Sequence, residues 1–209
     1  MYYNIFMKYK WLNRNGNREI IIFFNGWGMD ENVVSHLMFD KYDVITFFDY
    51  NDLDTDFEFE ELEKYSKKYL ISWSMGVMVA SLFNLSVDKS IAINGTLTPI
   101  DDNYGIPEKI YNLTEKGLTE ESIKKFVNKM FLTPDMRFSC NRTFESRKKE
   151  LSALKKYQPN KDFKYDDVYI SLCDKIIPTQ NQVAFWNKEP NLNSGHCPFF
   201  EFSSWEELV

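Results

Sequence analysis

Tyr69 to Leu85 reads YLISWSMGVMVASLFNL, and this stretch decides the fold class. Its first part, Tyr69 to Trp73, is an apolar run of strand length, and Gly76 to Leu85 is an apolar helix. Between them lies Ser72-Trp73-Ser74-Met75-Gly76. A G-x-S-x-G elbow carries its serine on a tight strand-to-helix turn, which requires small residues two before and two after. Gly76 keeps the second of these positions, and Ser72 stands where the first glycine would be. Such a turn makes Ser74 a candidate nucleophile. It also puts the Met75 N–H at a helix N-terminus, where a developing oxyanion is stabilised.

Outward from this elbow the chain alternates. Glu19 to Asn25 (EIIIFFN) is a continuous apolar run bounded by Gly26 and Gly28, of the kind that suits a strand buried on both faces of a parallel sheet. Asp30 can cap a short helix carrying Val33, Val34, Leu37 and Met38. Tyr42 to Tyr50 is a second strand, and EFEELEKYSKK at 58–68 has the charge order of a helix. Ser90 to Asn94 is a fourth strand after the elbow. Such alternation predicts an α/β domain with a mainly parallel sheet flanked by helices.

The alternation stops over residues 100–161. Two helical segments are expected there, one with Ile123, Phe126, Val127 and Met130 on a single face, the other over Phe144 to Tyr157. It resumes with a strand over Asp167 to Cys173 and a helix after Pro178, opened by a Thr179-x-x-Gln182 capping box. Asn191 to Ser194 is a candidate edge strand, and a Ser203-x-x-Glu206 box opens a C-terminal helix with Trp205 and Leu208. The expected organisation is a sheet core, 1–99 and 162–209, interrupted by a helical cap insertion at 100–161.

Composition excludes several classes. The 209 residues are 44% hydrophobic and 27% charged, an ordinary globular balance. No run of eighteen apolar residues is present to span a membrane. The opening MYYNIFMKYKWL has no pattern of a secretory leader. Cys140, Cys173 and Cys197 follow no zinc or redox spacing, so a cytoplasmic protein is expected. Net charge of −6 argues against a nucleic-acid-coated surface. Charge is nevertheless segregated: Lys109 to Lys161 holds thirteen basic and six acidic residues, against twelve and twenty-five elsewhere. That basic middle suits an acidic partner. With two histidines and no HxH or HExxH, no metal site is expected, and no phosphate-binding glycine motif is present. No cofactor is expected.

The remaining candidates follow from Ser74. A second oxyanion donor belongs on the loop after an earlier strand. Asn25-Gly26-Trp27-Gly28 occupies that place, with the Trp27 N–H as the donor. For the base, His36 sits beside core positions in the segment after the first strand, whereas His196 lies in a loop near the C-terminus. His196 is therefore the better partner for Ser74. The acid should follow a strand between the two. Asp174 does so directly, and Asp101 and Asp102 compete for the role.

Taken together, FFNGWGMD at 23–30, SWSMGV at 72–77, INGTLTPIDDNYGIP at 93–107, DKIIPTQNQ at 174–182 with Trp186, and GHCPF at 195–199 resemble one family. It is the BioG-type branch of the α/β-hydrolases, which demethylate pimeloyl-acyl-carrier-protein methyl ester in biotin synthesis. KFVNKM at 125–130 and the Glu150-Leu151 pair are similar to that family's insertion. The resemblance implies an α/β-hydrolase fold, with Ser74 as nucleophile, His196 as base, Asp174 as acid, and Trp27 and Met75 as oxyanion donors. It implies a pimeloyl-linked acyl carrier protein as partner. Arg137, Arg142, Arg147, Lys148 and Lys149 are then expected to dock the acidic carrier, and Trp27 and Trp73 to line the acyl channel. The competing readings are an esterase or thioesterase for another acyl group, and a non-catalytic binder of an acidic protein.

Overall fold

A computed structural model describes residues 6–133 and 138–209. Six strands form one sheet in the order β1-β3-β2-β4-β5-β6. They are β1 (Lys8–Asn13), β2 (Glu19–Phe24), β3 (Tyr42–Phe48), β4 (Lys67–Trp73), β5 (Lys89–Ile93) and β6 (Asp167–Tyr169). The five strands from β2 onward run parallel, and β1 joins the β3 edge antiparallel.

The apolar runs bury both faces of the sheet. Ile20, Ile22 and Phe24 point to one side with Ile45, Phe47 and Leu70. Ile21 and Phe23 point to the other with Val44, Ile71 and Trp73. The first side is covered by helix α1 (Met75–Ala80) together with α2 (Glu108–Lys116), α3 (Glu120–Met130) and α4 (Phe144–Leu154), whose Tyr111, Ile123, Leu151 and Leu154 share its core. The second side is covered by the C-terminal segment through Phe199, Trp205 and Leu208. Helix α5 (Thr179–Trp186) follows β6.

Chain order reverses between β2 and β4, because β3 is added on one side of β2 and β4, β5 and β6 on the other. A crevice therefore opens beyond the carboxyl ends of β2 and β4, where parallel sheets bind their ligands. The loops starting at Asn25 and Ser74 flank it.

Several local expectations are corrected. The edge strand β1 lies outside the alternating pattern that the apolar runs define. The segment after Asp30 forms only a 3₁₀ turn, Glu31–Val33, although Asp30 does cap it by accepting the Asn32 N–H. The acidic-to-basic segment likewise gives a 3₁₀ stretch, Phe59–Lys64, cut short by the start of β4 at Lys67. Helix α1 stops at Ala80 rather than Leu85. Asn191 to Ser194 forms no strand, only a bridge from Leu192 to Ser171. The last capping box is made by Ser204 and Glu207, one residue later than expected, on a 3₁₀ turn. At Pro178 no box forms, since Thr179 and Gln182 bond elsewhere.

Candidate active site

Ser74 lies directly beyond β4 with φ 57° and ψ −124°, a backbone conformation that non-glycine residues rarely adopt. Strain of this kind persists only when the surroundings enforce it. The Ser74 N–H is bonded to Ile93 O at the end of β5, and Val77 N–H to Ser74 O. A Cβ on Gly76 would lie 2.4 Å from both Phe24 O and Asn25 O. One on Gly95 would lie 2.4 Å from Ser74 O. Two glycines thus let α1 and the β5 loop close on the turn, which explains physically why a small residue is needed two positions after the serine.

Behind Ser74 a chain of short hydrogen bonds runs into the protein. The Ser74 Oγ is 2.8 Å from His196 Nε2, and His196 Nδ1 is 2.7 Å from Asp174 Oδ2. Ser74 is 6% exposed, His196 1% and Asp174 7%. Both Asp174 oxygens act as acceptors: Oδ1 takes the Ile176 and Ile177 N–H groups, and Oδ2 also takes the Gln182 amide. The proton on the Asp174–His196 bond therefore sits on Nδ1, leaving Nε2 free to accept from the serine hydroxyl.

The histidine loop is held by Asn94, to which the sequence alone gives no role. Its Nδ2 donates to Gly195 O, His196 O and Ser171 Oγ, and its Oδ1 accepts the Ser171 N–H. Asn94 has φ 45°, so the conformation that asparagine tolerates better than most residues is used here to aim its side chain. Gln182, expected in a helix cap, is instead a fully buried brace on Asp174.

Trp27, Ser74 and Met75 line one cavity of about 400 Å³. Its walls are mostly apolar, with Ile110, Tyr111, Phe126 and Leu151 from α2, α3 and α4 and Ile106 and Leu118 from the segments beside α2. Trp27 packs edge-on against Phe126 with ring centroids 4.9 Å apart. Among the described residues, the backbone N–H groups of Trp27 and Met75 have no protein acceptor. Both are free to meet a charge developing on a group bound at Ser74.

Other candidates lie elsewhere. Trp73, expected on the channel wall, is 1% exposed in the core behind the site, where its indole donates to His196 O and its ring meets Phe199 edge-on. A wall role is corrected to a prop for the histidine loop. Arg142, expected at the surface, is also corrected: its guanidinium is buried between Asp49 and Glu150, at 2.7 Å from each. Arg147 is half-buried and offers its carbonyl to the Trp27 indole N–H. Lys148 and Lys149 are exposed, and Arg137 lies outside the described residues. His36 is bonded to Phe199 O and stacked on Phe200. Asp101 and Asp102 accept the backbone N–H groups of Asn103, Tyr104 and Glu108 within their own loop.

A mainly parallel sheet with a serine on a strained turn beyond one strand, hydrogen-bonded to a buried histidine and aspartate, defines an α/β-hydrolase-fold protein. Solved structures agree on the fold: an enol-lactonase from Burkholderia xenovorans has a TM-score of 0.62 at 14% identity, covering 93% of this chain and 91% of that one. The family described as pimeloyl-ACP methyl esterase BioG matches residues 7–208, and the chain belongs to that family. The crystal structure of BioG from Haemophilus influenzae has a TM-score of 0.87 at 30% identity, covering 97% of this chain and 99% of that one. A curated relative from Bacteroides fragilis, named malonyl-(acyl-carrier protein) O-methyltransferase, is 37% identical over 83% of this chain. This chain spans only 38% of that relative's length, whereas it spans 99% of an uncharacterized Haemophilus influenzae relative that is 32% identical over 97% of this chain. No helix among the described residues is long and apolar enough to cross a membrane.

Proposed function

We propose that the protein is a serine carboxylesterase acting on the methyl ester of pimeloyl-acyl-carrier protein, releasing methanol in biotin precursor synthesis. The observation that carries this reading is the Asp174–His196–Ser74 hydrogen-bond chain opening onto an apolar cavity. Family membership supports the substrate. So does a relative named for O-methylation of a carrier-bound acyl group, because a methyl ester on a carrier is what such chemistry produces.

In this reading Ser74 Oγ attacks the ester carbonyl carbon while its proton passes to His196 Nε2. Asp174 holds the Nδ1 tautomer and stabilises the imidazolium. The carbonyl electrons move onto oxygen, which meets the N–H groups of Trp27 and Met75. Collapse breaks the bond to methoxide, which takes the proton from His196 and leaves as methanol. A water then attacks acyl-Ser74, giving its proton to His196, and the free carboxylate departs as the serine is re-protonated. No cofactor enters the scheme.

The acyl chain would lie along the apolar cavity and the carrier at its mouth. Lys125, Lys129 and Lys175 line the cavity with largely exposed side chains and join Lys148 and Lys149 as docking groups for the acidic carrier. Arg142 is excluded from that role by its burial.

The test is to incubate the protein and its Ser74→Ala variant with pimeloyl-carrier-protein methyl ester and follow the carrier's intact mass. The expected result is loss of one methylene's mass with Ser74 only. No change would overturn the assignment, and loss of the whole acyl group would make the protein a thioesterase.

A further inference from the structure

Helix α4 reaches back across the crevice to the loop that carries Trp27. Glu150, on that helix, is fully buried. Its Oε2 accepts the Gly28 N–H at 2.9 Å and its Oε1 accepts the Tyr50 N–H at 2.8 Å. One carboxylate therefore spans the loops that leave β2 and β3. Arg142 answers its charge through Nη1 at 2.7 Å and forks through Nη2 to Asp49, which Lys8 also meets at 2.9 Å. Two acids and two cations balance.

A buried ion cluster of this kind is weak evidence for stability, since apolar residues of like volume often do as well or better. An apolar pair could not, however, accept two backbone N–H groups at once. The Gly28 bond fixes the Trp27–Gly28 peptide, where Gly28 has φ 73°. The Trp27 indole N–H is fixed in turn on Arg147 O at 2.9 Å. Trp27 is thus tied to α4 through its indole and through the peptide that follows it, while its own N–H has no acceptor among the described residues and the residue lines the cavity.

We propose that Glu150, held by Arg142, is the positioning residue of the oxyanion loop, fixing the Trp27 N–H on the reacting carbonyl. The proposal rests on the esterase reading. It assigns Glu150 of α4 a part in the chemical step that is separate from carrier docking, and none of Lys8, Asp49, Arg142 and Glu150 need touch substrate.

The test uses Glu150→Gln and Arg142→Lys on two substrates, p-nitrophenyl butyrate and the carrier-linked methyl ester. Active sites are counted by covalent labelling of Ser74 with a fluorophosphonate. Glutamine offers one carbonyl oxygen to two N–H groups and leaves Arg142 short of a partner. Because an oxyanion donor acts mainly in the transition state, kcat per labelled site should fall about 10- to 100-fold with KM within about twofold. Arg142→Lys keeps the charge but loses the fork, and should cost about 3- to 10-fold in kcat. A purely structural role would lower the labelled fraction and the Tm with kcat per labelled site unchanged, and would overturn the proposal. Should Glu150→Gln not fold, Arg142→Lys is read by the same criterion. Wild-type activity on the butyrate alone would defeat the carrier reading while leaving the positioning test intact. Inactivity on both would overturn the two together.

Discussion

Asp174 and Glu150 are buried carboxylates that do comparable work by opposite means. Each accepts two backbone N–H groups and faces a side chain able to carry positive charge. Asp174 takes its N–H groups from Ile176 and Ile177, two and three residues ahead. Glu150 takes its own from Tyr50 and Gly28, 100 and 122 residues away. The first organises a loop that the local chain already defines. The second joins segments whose approach depends on the whole fold. The Asp174 loop is therefore organised by its own neighbours in the chain, and the Trp27 loop by tertiary contact.

The strongest way to sharpen this contrast is Asp174→Asn. The amide oxygen can still accept the Ile176 and Ile177 N–H groups, so the loop keeps its shape. Its NH₂, however, would face His196 Nδ1 and favour the tautomer whose Nε2 already carries the proton. Such a histidine cannot accept from Ser74. The expected loss is roughly 10³- to 10⁴-fold in kcat on p-nitrophenyl butyrate, with the far-ultraviolet circular dichroism unchanged. A loss below tenfold would remove Asp174 from the orienting role.

The same contrast explains what could be read from the chain. EIIIFFN, YLISW and the Ser90 to Asn94 run are buried on both faces, and continuous apolar runs of strand length carry that information locally. Ser74 and its turn were legible because the motif is contiguous. Asp174 and His196 were legible through chain order, since loops after parallel strands meet at one edge of the sheet. Glu150 carried no such sign: a glutamate inside a lysine-rich helix looks like a solvated residue until β2 and β3 are laid against that helix. Arg142 was misplaced at the surface for the same reason. Trp73 is expected on the channel wall because a long acyl chain needs an apolar lining, yet successive residues at a strand end point to opposite faces. The capping box at Thr179 failed because Asp174 competes for the Gln182 amide, and Thr179 instead donates to Ser171 O.

A second prediction weighs the two acids that share Arg142. Burial pushes Asp49 up, but Arg142 and Lys8 outweigh it and its pKa lies below the usual carboxylate value. For Glu150 burial dominates over Arg142 and the pKa is raised. A carboxyl depressed in the folded state contributes stability above its unfolded pKa and loses it as pH falls through the folded one. A raised one does the reverse, contributing most below its unfolded pKa. Asp49→Asn should therefore cost about 3 kcal/mol at neutral pH, the scale of breaking a buried pair. That difference should shrink progressively below about pH 4. Urea unfolding of both proteins from pH 3 to 7 measures it. A difference that stays constant with pH would mean that Asp49 is held by packing rather than by its charge.

The smallest effect is expected at the departure from the glycine motif itself. Ser72 pairs with Phe24 in the parallel register of β2 and β4 and is fully buried. Its hydroxyl has no hydrogen-bond partner at proper geometry, and the neighbouring Tyr165 hydroxyl gives its hydrogen to Val77 O. What the position supplies to the elbow is small volume, which alanine matches. Ser72→Ala should leave kcat within twofold and stability unchanged or raised by up to about 1 kcal/mol, because a buried hydroxyl without a partner carries an uncompensated desolvation cost. A loss above about 1.5 kcal/mol, the worth of a good hydrogen bond, would mean that Ser72 donates to Tyr165 in solution. The elbow would then owe part of its rigidity to Tyr165, from the segment that leads into β6, and would depend on tertiary contact as the Trp27 loop does.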